Sequence, residues 1–261
     1  MDTLLALRHA REQGSRVLAI CNTQGSTIPR ESDAVLYTHA GPEVAVASTK
    51  AFLAQIVAAY LLGLYLAQVK GTMYRDEIHQ TIDSLKAMPA KIQKVLDGQA
   101  EVISQTAERM SKARSFLFLG RHVGYPVALE GALKLKEIAY IFTEGFAAGE
   151  LKHGPIALVE PGEPVVVIVP SARGRNVLHD KVISAIEEVK ARGAFTIVVA
   201  EEGDPDADRY ADVVFWRPPC PTLLSPLVDV VPLQLFALDM ARLKGLDVDK
   251  PRNLAKSVTV E

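Results

Sequence analysis

Hydrophobic and polar positions along this chain alternate between a helical period and short apolar runs. Spacing over 2–13 predicts a helix, and 16–21 (RVLAIC) reads as a strand. A polar loop, NTQGSTIPRESD (22–33), leads to a second short strand near 34–38. Residues 51–69 (AFLAQIVAAYLLGLYLAQV) form a long apolar helix, and 74–113 predict two or three amphipathic helices. The second half repeats the alternation more fully. It predicts a strand at 115–119, a glycine-containing loop at 120–125, a helix opened by Pro126, and a loop-rich stretch at 143–158. A strand at 165–169, a helix at 175–192, strands at 195–200 and 213–216, and a helix at 226–244 follow. Strands separated by helices point to an α/β class with parallel sheets, in two weakly related halves.

The first half is short of strands. In doubly wound folds an anion sits between the first strand's carboxyl end and the next helix. Here the chain begins on that helix, so two expectations stand. Either the domain starts with a helix, or a strand and its phosphate loop precede this stretch and the first domain is incomplete.

The segment 51–69 carries no charge between Lys50 and Lys70. Its length fits a membrane span. Gln55, Gln68, two tyrosines and the surrounding α/β pattern favour a helix buried in a core or a dimer interface, with no membrane partner.

Composition narrows the function classes. At 49% hydrophobic and 23% charged, the chain is globular rather than disordered. A formal net charge of −2 gives no electrostatic case for a nucleic-acid partner, so any anion site is local. Two distant cysteines, Cys21 and Cys220, make neither a disulfide framework nor a zinc pattern and suit a reducing, cytoplasmic setting. The opening MDTLLALRHAREQG lacks the apolar core of a signal peptide.

Five segments are candidates for chemistry. Glu130, Lys134 and Glu137 share one face of an otherwise apolar helix. That stripe is either a polar pocket with a buried ion network or a solvated salt bridge. His153 precedes Gly154-Pro155, a turn that no helix continues through. It suits proton transfer near neutral pH, or a structural role. Ser48 and Thr49, in GPEVAVASTKAF (41–52), cap the long helix or bind sugar hydroxyls. GRHVGY (120–125) follows a strand, as a phosphate loop or a plain turn would. Lys256 lies in the tail PRNLAKSVTVE (251–261), beyond a helix stop at Gly245. Exposed, it is an ordinary terminal lysine; desolvated, it is an amine able to attack a carbonyl.

Together, GALKLKE (131–137), AAGELKHGPIAL (147–158), VASTKAF (46–52) and DVDKPRNLAKSVTVE (247–261) closely resemble the isomerase module of the glucosamine-6-phosphate synthase family, over essentially the whole chain. The resemblance implies two flavodoxin-like, three-layer α/β/α SIS domains. It expects the end of the first domain over 1–73, a helical connection and second domain over 74–245, and a catalytic tail over 246–261. It implies formation of glucosamine 6-phosphate from fructose 6-phosphate and glutamine-derived ammonia, in a homodimer, with no cofactor and no metal. By motif, Lys256 matches the Schiff-base lysine, Glu137 the base moving the proton between C1 and C2, and Lys134 a lysine assisting ring opening and proton transfer. His153 matches a ring-opening histidine that reaches the site from the neighbouring subunit. Val46 and Ala255 match positions whose backbones contact the sugar.

Two departures accompany the resemblance. The family's glutaminase domain has no counterpart here. Its phosphate loop, Ser-x-Ser-Gly-Glu-Thr-x-Asp-Thr, is matched only at its end by Met1-Asp2-Thr3. The expectation is therefore a truncated module with weakened phosphate binding. A non-catalytic, sugar-phosphate-binding SIS module is the alternative.

Overall fold

The computed structural model describes residues 1–173 and 176–256. It divides into two compact units, residues 1–83 with 249–261, and residues 84–248.

In the first unit, helix α1 (Asp2–Glu12) precedes strand β1 (Leu18–Cys21). The stretch 22–33, expected to be a loop, contains a short helix, α2 (Thr27–Glu31). Arg8 holds Glu31 through two hydrogen bonds of 2.8 and 2.7 Å, which tie α1 to that helix. Tertiary pairing of this kind decides a five-residue helix that periodicity is too short to reveal. Strand β2 (Ala34–Tyr37) pairs parallel with β1, Leu18 facing Ala34 and Cys21 facing Tyr37. Helix α3 (Lys50–Lys70) ends on Gly71 in the left-handed conformation. It is not a core helix: within this chain only Ala51, Ala58 and Leu64 are buried. By length and composition α3 and the segment Thr222–Leu243 are each sufficient to cross a membrane, but 67% of the second is buried against 11% of the first. Helix α4 (Arg75–Lys86) follows.

The second unit opens with helix α5 (Met88–Met110). Its sheet consists of β3 (Ser115–Gly120), β4 (Phe142–Ala147), β5 (Pro164–Ile168), β6 (Phe195–Glu201) and β7 (Val213–Arg217). The order is β4-β3-β5-β6-β7 and every pairing is parallel. Strand β4 lies within a stretch expected to be mostly loop. Glycine and alternating exposure disguise this edge strand, whereas β5 is apolar and buried throughout.

Side-chain alternation divides the sheet's two faces. Leu117, Leu119, Val165, Val167 and Val198 pack with Val182, Ile186 and Val189 of helix α7 (Asn176–Lys190). On the other face, the Phe116 and Phe215 rings meet Phe236 of helix α9 (Pro226–Leu243) at centroid distances of 5.7 and 6.1 Å. Helix α6 (Gly124–Lys134) joins that layer and begins two residues before Pro126, which lies in its first turn. A Cβ on Gly131 would stand 2.6 Å from Leu233 Cδ1, so a glycine permits the close approach of α6 and α9. Helix α8 (Pro205–Tyr210) completes the parallel α/β/α sandwich.

Candidate functional site

In the first unit, a cavity of about 810 Å³ opens at the carboxyl ends of β1 and β2, where parallel α/β sheets usually bind ligands. Cys21, Asn22, His39, Ser48, Gln55 and Lys256 line it. Asn22 shapes one wall: its Nδ2 donates to Gly41 O at 2.7 Å, and its Oδ1 accepts from Thr38 Oγ1 at 2.8 Å and Ala40 N at 2.9 Å. The intervening His39 has φ 51°, which this side-chain clamp fixes in the turn.

The tail reaches the same cavity. Val46 N donates to Asp249 O at 3.0 Å, and Pro251 is buried. Asn253 takes φ 62°, a left-handed conformation that asparagine tolerates, and the chain turns there. Lys256 Nζ donates to Ala45 O at 2.8 Å and Val46 O at 3.4 Å, and stands 3.7 Å from Glu43 Oε2. The lysine is half exposed. Val46 therefore meets the lysine through its carbonyl, while Ala255 is an exposed neighbour.

Neither Ser48 nor Thr49 caps α3 with its side chain. Thr49 stands at the N-cap without a side-chain cap bond, and Glu43 supplies the acceptor instead. Its Oε1 accepts from Thr49 N at 2.7 Å, Thr49 Oγ1 at 3.1 Å and Ala51 N at 3.4 Å. Ser48 Oγ donates to Oε2 at 3.2 Å. Sequence reasoning passed over Glu43. Its signal was present: it is the one Asp or Glu between Asp33 and Lys50, among small and apolar residues.

In the second unit, α6 runs into a π turn, Leu135–Ala139, and stops on Tyr140 at φ 55°. Such widened turns recur at functional sites. Lys134 is buried between two carboxylates, its Nζ 2.5 Å from Glu137 Oε2 and 3.3 Å from Glu130 Oε1. The stripe is thus a buried ion network, and a solvated pair is ruled out. Burial pushes the Glu130 carboxyl up from its usual range, against the opposing pull of Lys134.

His153 ends a single 3₁₀ turn, Leu151–His153, and is exposed. Gly154 at φ 146° reverses the chain before a second 3₁₀ turn, Pro155–Leu158. Among the described residues, His153 makes no hydrogen bond to Lys134 or Glu137. The loop 120–125 is a tight turn. Gly124 N and Tyr125 N donate to the carbonyls of Arg121 and His122 at 3.0 and 3.1 Å. A Cβ on Gly120 would stand 2.1 Å from Gly124 O, so glycine is required there.

Among the described residues, His179, Asp204 and Asp206 are the ligand-type side chains grouped closely enough to hold a metal ion. Asp204 is already committed: one oxygen caps α8 through Asp206 N and Ala207 N, each at 3.1 Å, and the other meets His179 Nε2 at 2.8 Å. The group is a structural clamp.

A model of the SIS domain matches residues 1–65 and 109–244. The glutamine–fructose-6-phosphate aminotransferase [isomerizing] of Corynebacterium efficiens is 68% identical over the whole chain, and that of Streptomyces coelicolor 66%. The chain spans 42% of the length of these curated relatives. A solved C-terminal domain of glucosamine-fructose-6-phosphate aminotransferase from Francisella tularensis superposes with a TM-score of 0.89 at 38% identity. That match covers 96% of this chain and 70% of the other.

Proposed function

This chain belongs to the SIS domain family, within the C-terminal isomerase regions of glutamine–fructose-6-phosphate aminotransferases, and we propose that it converts an open-chain ketose phosphate by way of a lysine imine. The substrate is fructose 6-phosphate and the product glucosamine 6-phosphate. Ammonia comes from glutamine, hydrolysed by a glutaminase domain elsewhere in a longer, cytoplasmic, homodimeric protein.

The observation that carries this reading is the Lys256 amine lining a cavity of about 810 Å³, held there by the carbonyls of Ala45 and Val46. The deprotonated amine adds to the C2 carbonyl, whose oxygen leaves as water with one proton from the attacking nitrogen and one from solvent, so the Lys256 nitrogen ends as an iminium. Ammonia then adds at C2 and the Lys256 amine leaves, so that C2 carries an iminium of the ammonia nitrogen. That cation acidifies the C1 hydrogens. Glu137 then takes a proton from C1 and returns it to C2. Lys134 assists ring opening and proton transfer from beside Glu137. His153 opens the sugar ring in the neighbouring subunit, and its exposed turn is consistent with an outward reach. Ser48 and the backbones of Val46 and Ala255 contact the sugar.

Borohydride reduction in the presence of fructose 6-phosphate tests the reading. Peptide mapping is expected to find the sugar attached to Lys256. An unlabelled Lys256 at saturating sugar overturns the imine and leaves a sugar-phosphate-binding module.

A further inference from the structure

We propose that Glu43 is the positioning residue for the Lys256 amine, fixing the first turn of α3 with one carboxylate oxygen and facing the amine with the other. The inference deepens the imine reading of Lys256 and rests on it.

Glu43 has the geometry of a built anchor rather than a surface acid. Its side chain is 6% exposed. Oε1 is occupied by the backbone and hydroxyl of Thr49 and by Ala51 N, so it is held by the start of a long helix. Oε2 is left for Ser48 Oγ and Lys256 Nζ. Burial alone would push this carboxyl up. Hydrogen bonds from Thr49 and Ala51, with the charge of Lys256, outweigh it and hold Glu43 below the usual carboxylate range. It therefore stays anionic at neutral pH.

A fixed anion 3.7 Å from the amine has two consequences. It docks the resting ammonium, together with the Ala45 and Val46 carbonyls, so the tail presents its lysine to the cavity in one place. It also faces the nitrogen when water leaves and the positive charge returns as iminium. The same carboxylate offsets the cation before and after the neutral amine attacks. Ser48 acts through Glu43: its hydroxyl orients the oxygen that faces the lysine.

The other titratable groups at the cavity are Cys21 and His39, with Lys50 near Gly41 at the helix start. Glu43 is the only carboxylate among the cavity's described lining residues. It is therefore the one carboxylate of that lining that faces the lysine.

Trace acetylation of the whole chain with acetic anhydride, read by peptide mapping across alkaline pH, measures the reactivity of each amine. Glu43→Gln keeps an oxygen for Thr49 N and removes the charge. In that variant Lys256 is expected to acetylate about fivefold faster near neutral pH, because the amine has lost the partly screened anion that docks it. Lys94 and Lys152, in the second unit, should not change. Glu43→Asp keeps the charge and should restore most of the wild-type rate. An unchanged Lys256 rate in E43Q, with unfolding midpoint as in wild type, overturns the inference. Should E43Q not fold, Ser48→Ala carries the test: without the hydroxyl on Oε2 the carboxylate is freed toward the lysine, so Lys256 should acetylate more slowly, and an unchanged rate overturns the inference equally. Borohydride trapping run alongside separates the two readings. A Lys256 that never traps fructose 6-phosphate defeats the imine, whatever acetylation shows.

Discussion

Lys134 Nζ lies 2.5 Å from Glu137 Oε2 across the point where α6 widens into its π turn. With Glu130 at 3.3 Å on the other side, one buried cation serves two carboxylates. Lys134→Met removes the cation and keeps the volume. Leaving buried carboxylates unpaired costs about 3 kcal/mol, less where water reaches them, as it does at Glu137. Urea unfolding should therefore show a loss of about 2–3 kcal/mol at neutral pH. The loss should shrink on acidification. Burial holds the Glu130 carboxyl up even with Lys134 present, and without it the folded-state value rises further. A carboxyl that binds its proton more tightly when folded gains stability as pH falls through that folded value toward the ordinary one.

A second buried network ties β7 to α9. Arg217 is fully buried, with Nε 2.6 Å from Asp229 Oδ1 and NH1 3.0 Å from Glu201 Oε2. Arg217 Nε and Asp229 Oδ1 make no hydrogen bond, so that approach is an ion pair. Burial pushes the Asp229 carboxyl up despite Arg217. Arg217→Met is expected to cost about 3–5 kcal/mol by stranding Asp229. Arg217→Met with Asp229→Leu should recover most of that, because Glu201 keeps Arg173 at 2.7 Å. Chemical denaturation of the single and double variants gives the comparison, and a double variant as unstable as the single one would refute it.

The parallel α/β sandwich was legible because β3, β5 and β6 each carry a largely apolar run, with helical spacing between them. Strand β4 was not, since Glu144 and Gly145 interrupt its strand-forming residues and pairing with β3 makes the strand. The charged stripe of α6 was visible by spacing. Its burial was not, because that depends on packing which residues 130–137 do not themselves specify. Lys256 stood out through its motif, whereas Glu43, separated from it by most of the chain, became evident only where the tail folds back on Val46.

His179 and Asp204 make a different pH-dependent contact, 2.8 Å apart and both buried. The Asp204 hydrogen bond holds the histidine above its ordinary value, outweighing burial. Burial would raise Asp204, but His179 and the α8 amides hold it low. The histidine's contribution is fully present below its ordinary value and is lost as pH rises through the raised folded value. Asp204's contribution is present above the ordinary aspartate value and is lost as pH falls through its lowered one. The stability gap between wild type and His179→Ala should therefore narrow from mildly acidic to alkaline pH, measured by thermal or urea unfolding. Asp204→Ala also removes the α8 cap, at about 1–2 kcal/mol, and should be destabilising throughout that range.

Leu61, Tyr65 and Val69 recur every fourth residue along α3 and are 43%, 62% and 65% exposed, with Leu66 beside them at 49%. Residues four apart form one stripe on a helix, and this one has no cover within its own unit. A homodimer is part of the proposed function, and the stripe is where a second copy would bury apolar area. Leu61→Glu or Val69→Glu would then place an unpaired charge in an interface. At about 2–4 kcal/mol per charge, the dimer dissociation constant should rise by roughly thirtyfold or more. Sedimentation equilibrium measures that shift, while circular dichroism checks that α3 remains helical. Unchanged self-association in both variants would remove α3 from the interface. Flotation of wild type with lipid vesicles, lost in the same variants, would instead assign the stripe to a membrane surface.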